Sequence, residues 1–434
     1  MSILFEHACV LTMDGSRTVL EHAFVAVEGT CITCVGQSRP EGSFERTVDC
    51  TGKVLMPGFV NAHTHVPMAL LRGVGGGLDL HHWLNDCIFP TEAKLDDRAV
   101  SAGAALGLAE MIAAGVTCIA DMYMHTDAIA KEIARAGISA NLSCGGVYFG
   151  AAEDFSPDRC GDCRNQQTLT ERWHNFDNGR IRVDASIHGE YTSNAPLWRW
   201  MGQYAADHGL RMHAHVSETA AEHQASLDRN GKTPLQALDE CDAWVNGGIA
   251  AHCVYTTPED WTLMAKRDVS CIHNPWSNLK LGSGIAPTRA MKEAGVRLAL
   301  GSDGMASHNA ADPFSDMKLA ACLPCGAGRD ATAMGAWDAL EMATVNGAAA
   351  LGRTDTGMIA PGKTADLILV DRSALNMTPC HAVEENLVYS ARPDNVVMNM
   401  ARGQVIYENG VYRTLDLARI RAEVEQYALP LLFG

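Results

Sequence analysis

The stretch Pro57-Gly58-Phe59-Val60-Asn61-Ala62-His63-Thr64-His65 constrains this chain most, because it closes an apolar run on two histidines one residue apart. On a strand, residues i and i+2 share a face, so both imidazoles can reach one point in space. Three later segments also end an apolar run in a potential metal ligand: Arg211-Met212-His213-Ala214-His215, Ile249-Ala250-Ala251-His252 and Leu298-Ala299-Leu300-Gly301-Ser302-Asp303. Such recurrence is expected of a parallel barrel, whose functional groups collect at the carboxyl ends of its strands.

Strand ends read in order are His63/His65, Thr117 to Asp121, Ala140 to Cys144, Val183 to His188, His213/His215, His252, Cys271 to His273, and Asp303. Helical stretches fall between several of them, at Ala99 to Ala114, Pro196 to His208, Pro234 to Trp244 and Thr288 to Ala294. Alternating short apolar strands and longer helices predict an α/β fold, a (β/α)8 TIM-type barrel. Short β segments flank this block: Ala8 to Thr12, Ala23 to Val27 and Cys31 to Gly36 on one side, and Ala365 to Val370, Val396 to Met400 and Gln404 to Tyr407 on the other. A chain of 434 residues exceeds the about 250 that a barrel needs. The expected organisation is therefore a barrel over 57–360 with a small composite β-sandwich domain, carrying a C-terminal helix, from 1–56 and 361–434.

A formal net charge of −17 argues against a nucleic-acid partner, whose phosphates are neutralised by Lys and Arg. No apolar run approaches the ~20 residues that span a bilayer, and an early Glu6 without a basic n-region fits a cytoplasmic protein. Fifteen cysteines without a secretion signal suit a reducing compartment. The pairs Cys160/Cys163 and Cys322/Cys325 lie too far apart in sequence for a four-thiolate zinc site.

His63, His65, His215 and Asp303 offer three nitrogens and one oxygen to a divalent cation, zinc first, with iron(II) or manganese(II) also suited to that donor set. Such an ion makes water a nucleophile near neutral pH. Glu218, one turn beyond His215, is placed to shuttle a proton, and His252 to hold the attacking oxygen. His213 is read as structural, turned to the other face of its strand, while His188 and His273 are candidates for a supporting layer. Gly73-Val74-Gly75-Gly76-Gly77 lacks the Lys-Ser/Thr ending of a phosphate cradle and reads as a flexible lid. His188-Gly189-Glu190 mimics the nucleobase-deaminase His-x-Glu, but Pro324-Cys325 has no second cysteine to complete that pattern.

At these residues the chain resembles the amidohydrolase superfamily, in its branch of methylthioadenosine/S-adenosylhomocysteine deaminases and related nucleoside and purine deaminases. The strings that carry the resemblance are Pro57 to His65 with Leu71-Arg72-Gly73, His215-Val216-Ser217-Glu218-Thr219, Ala251-His252-Cys253, His273-Asn274-Pro275 with Ser277-Asn278, and Gly301-Ser302-Asp303-Gly304 with Ser307. With His188 where two-metal relatives have a modified lysine, the resemblance implies one metal per subunit. It further implies that hydroxide attacks C6 of an adenine-type ring while Glu218 delivers a proton to N1. Asp303, both ligand and base, would carry the water proton towards the departing amine, and His252 would hold the hydroxide. It places Trp83 over the substrate, Glu92 on the ribose hydroxyls, His188 beside the nucleoside, and Glu218 and Ser307 among the substrate contacts. A homo-oligomer follows from the same resemblance.

In homocysteine-accepting relatives, arginines after strand three clamp the amino-acid carboxylate. Here Cys144 stands at the first of those places, with only Arg159 and Arg164 nearby. Methylthioadenosine, 5′-deoxyadenosine or adenosine is therefore expected ahead of S-adenosylhomocysteine. A free-base deaminase of guanine, an 8-oxopurine, a pterin or cytosine would use the same site without a ribose-binding Glu92. A triazine-type chlorohydrolase would not need Glu218, and a catalytically silent barrel would need no metal.

Overall fold

Eight parallel strands form the core of the computed structural model, which describes residues 2–434. They are Phe59–His65, Val116–Met122, Ser139–Ser143, Ile181–Val183 continued past Asp184 as Ala185–Gly189, Met212–Val216, Gly248–His252, Val269–His273, and Leu298–Leu300 continued as Asp303–Gly304. The strands pair in sequence order, and the ring closes where Asp303 lies opposite Thr64 and Gly304 opposite His65. Every residue of Val116–Met122 and Met212–Val216 is buried. Burial on both faces explains why Cys118, Ile119 and Ala120 follow one another as an unbroken apolar run in the first of these strands.

Helices at Asp97–Ala113, Ala195–His208 and Thr288–Glu293 coincide with the expected ones to within two residues. The expected helix from Pro234 to Trp244 is shorter, ending at Asp239. The chain turns back through Asp242, in the left-handed region at φ 57°, so that Trp244 tucks under the helix and donates Nε1–H to Leu235 O at 3.2 Å.

Strands from both ends of the chain share one nine-stranded sheet. Its centre is Lys53–Pro57, which pairs parallel with Ser2–Leu11 on one side and antiparallel with Leu367–Asp371 on the other. The closing helices, Leu417–Glu423 and Leu429–Phe433, are reached from this sheet but lie against the barrel. Arg98 bonds Glu423 at 2.7 Å and stacks over the Tyr427 ring at 3.9 Å.

A buried polar cluster sits beneath the barrel at the start of strands three and four. Arg353 donates to Asn141 Oδ1 at 2.9 Å, Gly179 O at 3.0 Å and Ala140 O at 2.6 Å, while Asn141 Nδ2 donates to the Asp184 carboxylate at 2.9 Å. All fifteen cysteines are unpaired. Among the described residues no helix is long and apolar enough to cross a membrane.

Candidate metal centre and active site

The strand alternation that lifts His63 and His65 to the barrel mouth brings four ligand atoms together. One atom each from His63, His65, His215 and Asp303 lies within 4.8 Å of all the others. His65 Nε2 is 3.2 Å from Asp303 Oδ1 and 3.4 Å from His215 Nε2, and His63 Nε2 is 3.4 Å from the same Asp303 oxygen.

Each imidazole is aimed by its other nitrogen. His65 Nδ1 meets Met122 O at 2.5 Å, His215 Nδ1 meets His188 O at 2.6 Å, and His63 Nδ1 meets His213 Nε2 at 2.8 Å. Nδ1–H donation to a carbonyl leaves the Nε2 lone pair free for a cation, the usual way a supporting layer fixes a metal-binding tautomer. Ser277 and Ser307 donate to Asp303 Oδ2 at 2.5 and 2.9 Å, which turns Oδ1 towards the imidazoles.

These residues fit a divalent ion. His63 Nε2 is wholly buried without a hydrogen-bond partner, a cost that coordination would remove. Burial drives the His63 ring down to about 3 and holds His213 and His215 well below the usual imidazole range, in the neutral form that ligation requires. Burial also opposes charge on His65, but the Asp303 carboxylate outweighs it and lifts the ring to about 9. The same contacts overcome burial at Asp303 and keep its carboxyl well below the ordinary range.

His213 corrects the sequence reading that turned it away from His215. Two positions apart on one strand, the rings share the inward face. His213 bridges His63 to Ser143 Oγ, 3.0 Å from its Nδ1. Glu218 also differs slightly from expectation, lying in the connection before a helix rather than on one. Thr219 and Glu222 form the capping box of Ala220–Asn230, and Glu222 holds the Glu218 backbone N–H at 2.7 Å. The Glu218 side chain is thereby freed from capping.

Glu218 and His252 face each other at 3.7 Å beside the cluster. Burial raises the Glu218 carboxyl, partly offset by His252, so it keeps its proton to higher pH than an exposed glutamate. Burial would lower His252, but Glu218 and Asp303 prevail and raise it. Asn278 Oδ1 accepts from its Nδ1 at 2.8 Å. Four residues at these strand tips hold left-handed backbones: Ser217 (φ 49°), His252 (φ 71°), Cys253 (φ 51°) and Asp303 (φ 61°). Such angles cost a non-glycine residue free energy that the surrounding structure must balance.

The cluster floors a cavity of about 420 Å³ whose lining includes Trp83, Glu92, His188, Glu218, His252 and Ser307. Trp83 is buried and donates Nε1–H to Val74 O at 3.0 Å, pinning the glycine-rich turn that the sequence suggested as a lid. A Cβ at Gly75 would lie 2.8 Å from the Trp83 ring, so the close approach requires glycine there. Glu92 is buried and accepts from Tyr123 Oη at 2.5 Å. Burial raises its carboxyl, with Tyr123 opposing. Tyr123 escaped the sequence reading, although its position just beyond strand two marked it as a residue of the barrel mouth. His188 Nδ1 lies 3.1 Å from Thr192 Oγ1. His273 is buried in the wall of strand seven, with neither ring nitrogen bonded. Arg159 and Arg164 are exposed and donate to the carbonyls of Asp154 and Asp158.

A closed barrel with three imidazoles and a carboxylate gathered at the ends of strands one, five and eight defines a metal-dependent hydrolase. The model of the amidohydrolase family matches residues 54–406, and the chain belongs to that family. It is 38% identical over 430 residues to a 5′-deoxyadenosine deaminase of Methanosarcina acetivorans, covering 99% of this chain and 98% of that one. It is 34% identical over 433 residues to a 5-methylthioadenosine/S-adenosylhomocysteine deaminase of Thermoanaerobacter pseudethanolicus, covering both chains in full. A crystal structure of an adenosine deaminase from Xanthomonas campestris with bound zinc superposes with a TM-score of 0.93 at 35% identity, over 99% of this chain and 98% of that one. The protein is a hydrolytic deaminase.

Proposed function

We propose that the protein deaminates adenine nucleosides, with methylthioadenosine, 5′-deoxyadenosine and adenosine ahead of S-adenosylhomocysteine. The observation that carries the reading is the meeting of four ligand atoms within 4.8 Å at the floor of a cavity that also presents a protonatable Glu218. The names of the relatives supply the substrate class. A single divalent ion held by His63, His65, His215 and Asp303, zinc first and iron(II) or manganese(II) next, supplies Lewis acidity that lets water attack near neutral pH.

The chain's own groups do the rest. Glu218 gives its proton to N1 as water adds at C6, so no negative charge builds on the ring. Asp303 takes one proton of the attacking water and passes it to the amine, which leaves as ammonia, while the proton of the new C6 hydroxyl restores Glu218 as the carbonyl forms. His252 holds the attacking oxygen, oriented by Asn278. Trp83 covers the purine, Glu92 accepts from the ribose hydroxyls with Tyr123 fixing its carboxylate, and His188 and Ser307 border the nucleoside.

Cys144 lines the cavity where a carboxylate clamp would stand, which favours short 5′-groups. The boundaries 1–56 with 361–434 and 57–360 belong to the proposal, as does a sandwich packing of the accessory sheet. The separate apolar cluster that joins Phe5, Val25 and Leu55 to Leu367 and Met398 supports that packing. A cytoplasmic homo-oligomer completes the reading, the unpaired cysteines supporting the compartment.

An ultraviolet screen of the zinc-loaded protein tests the substrate class. Turnover of 5′-deoxyadenosine, methylthioadenosine or adenosine is the expected result. Turnover confined to guanine or cytosine would replace the reading with a free-base deaminase.

A further inference from the structure

The substrate cavity continues beyond the loop that follows strand three. A second cavity of about 380 Å³ shares Tyr123, Met124, Cys144 and Asp162 with the first, so these four residues form a partition between the two. Among the described residues, no lysine or arginine lines the first cavity. The arginine of the second, Arg172, is already paired with Asp127 at 3.0 Å, and His125 faces Asp97 at 2.5 Å. The carboxylate at the partition is Asp162.

Asp162 is fixed in place. Its Oδ2 accepts the Val147 backbone N–H at 2.8 Å and its Oδ1 accepts from Asn165 at 3.2 Å, so two donors hold the side chain across the loop and oppose the burial that raises its carboxyl. Cys144 Sγ lies 3.4 Å from Gln166 Oε1 and 3.7 Å from Ser186 Oγ, packed into the wall rather than offered to an anion. Burial raises the Cys144 thiol to about 12, so it stays neutral. Cys144, Gly145 and Asp162 line the same cavity as His188, which joins this partition to the nucleoside side.

We propose that Asp162 is a specificity-determining residue at the 5′ end of the substrate cavity, turning away adenine nucleosides with an anionic 5′-substituent and admitting neutral or cationic ones. The inference rests on the adenine-nucleoside reading above and extends it from the ring to the 5′-group. A carboxylate or phosphate arriving there would meet a like charge, with no lysine or arginine in the cavity lining to offset it. An ammonium would find an acceptor already held in place.

The test compares kcat/KM for 5′-deoxyadenosine, 5′-amino-5′-deoxyadenosine and adenosine 5′-monophosphate in the wild-type enzyme and in Asp162→Asn. The wild type is expected to favour the neutral and cationic compounds over the phosphate by at least about 100-fold, and Asp162→Asn to narrow that ratio by about tenfold. Wild-type turnover of the phosphate within tenfold of 5′-deoxyadenosine, or a ratio unchanged in a folded, metal-loaded Asp162→Asn, overturns the proposal. Should Asp162→Asn fail to fold, Asp162→Ser is the second variant. It is expected to narrow the same ratio about tenfold, and an unchanged ratio overturns the proposal. If no adenosine compound turns over while a free base does, the substrate-class reading fails, a result distinct from failure at the 5′ end alone.

Discussion

Two buried polar clusters sit at opposite ends of the same barrel and are built to opposite rules. Beneath it, Arg353, Asn141 and Asp184 satisfy one another and the nearby carbonyls, and none of their polar atoms lacks a partner. At the mouth, His63, His65, His215 and Asp303 are held from behind but face a common point, where His63 Nε2 has no partner. A cluster closed on itself holds the fold together. A cluster with its ligand atoms left open binds something.

Substitutions at the two ends should separate these roles. His215→Ala is expected to abolish turnover and metal content while leaving the circular-dichroism spectrum and melting transition of a folded barrel, as metal analysis and calorimetry would record. Arg353→Met is expected to do the reverse, costing about 1–3 kcal/mol of stability for each buried acceptor it leaves without a donor. The protein that remains folded should keep its metal and its kcat. Glu218→Gln should keep the metal and lower kcat by at least about 100-fold, because the amide cannot give up a proton to the ring. His213→Ala should weaken metal affinity by about 10- to 100-fold in a chelator competition, the usual effect of losing a residue that orients a ligand.

The lower cluster also carries a pH dependence. Burial raises Asp184 from 3.8 to about 6, opposed by its Asn141 hydrogen bond. The native state therefore binds this proton more tightly than the unfolded chain. Its stabilising contribution is complete below about pH 4 and is lost as pH rises through about 6. Asp184→Asn removes that slope, so melting curves of variant and wild type should diverge between those values and run parallel above them. Divergence at alkaline pH instead would assign the slope to another group.

The mouth was far more legible in sequence than the underside. All eight strand ends were readable, because the polar residues that carry the chemistry interrupt apolar runs. The four ligands lie on three of those ends. His213 was misjudged although the alternation rule placed it beside His215, since an inward histidine without metal contact looks like packing. Tyr123 was missed because a tyrosine after a strand carries no periodic signal. Arg353, Asn141 and Asp184 left no trace, as Arg353 meets Asn141 across 212 positions and no local pattern joins them. Arg46–Asp49 and Val411–Tyr412, short strands of the accessory sheet, were equally silent.

The left-handed backbones at Ser217, His252 and Asp303 carry a mechanical consequence. Each such residue stores on the order of 1–3 kcal/mol that the surrounding protein must balance. The barrel mouth is thus tensioned during folding, before any cation arrives. Chelation should empty such a socket without collapsing it, and an ion returned to it should find its ligands already in position.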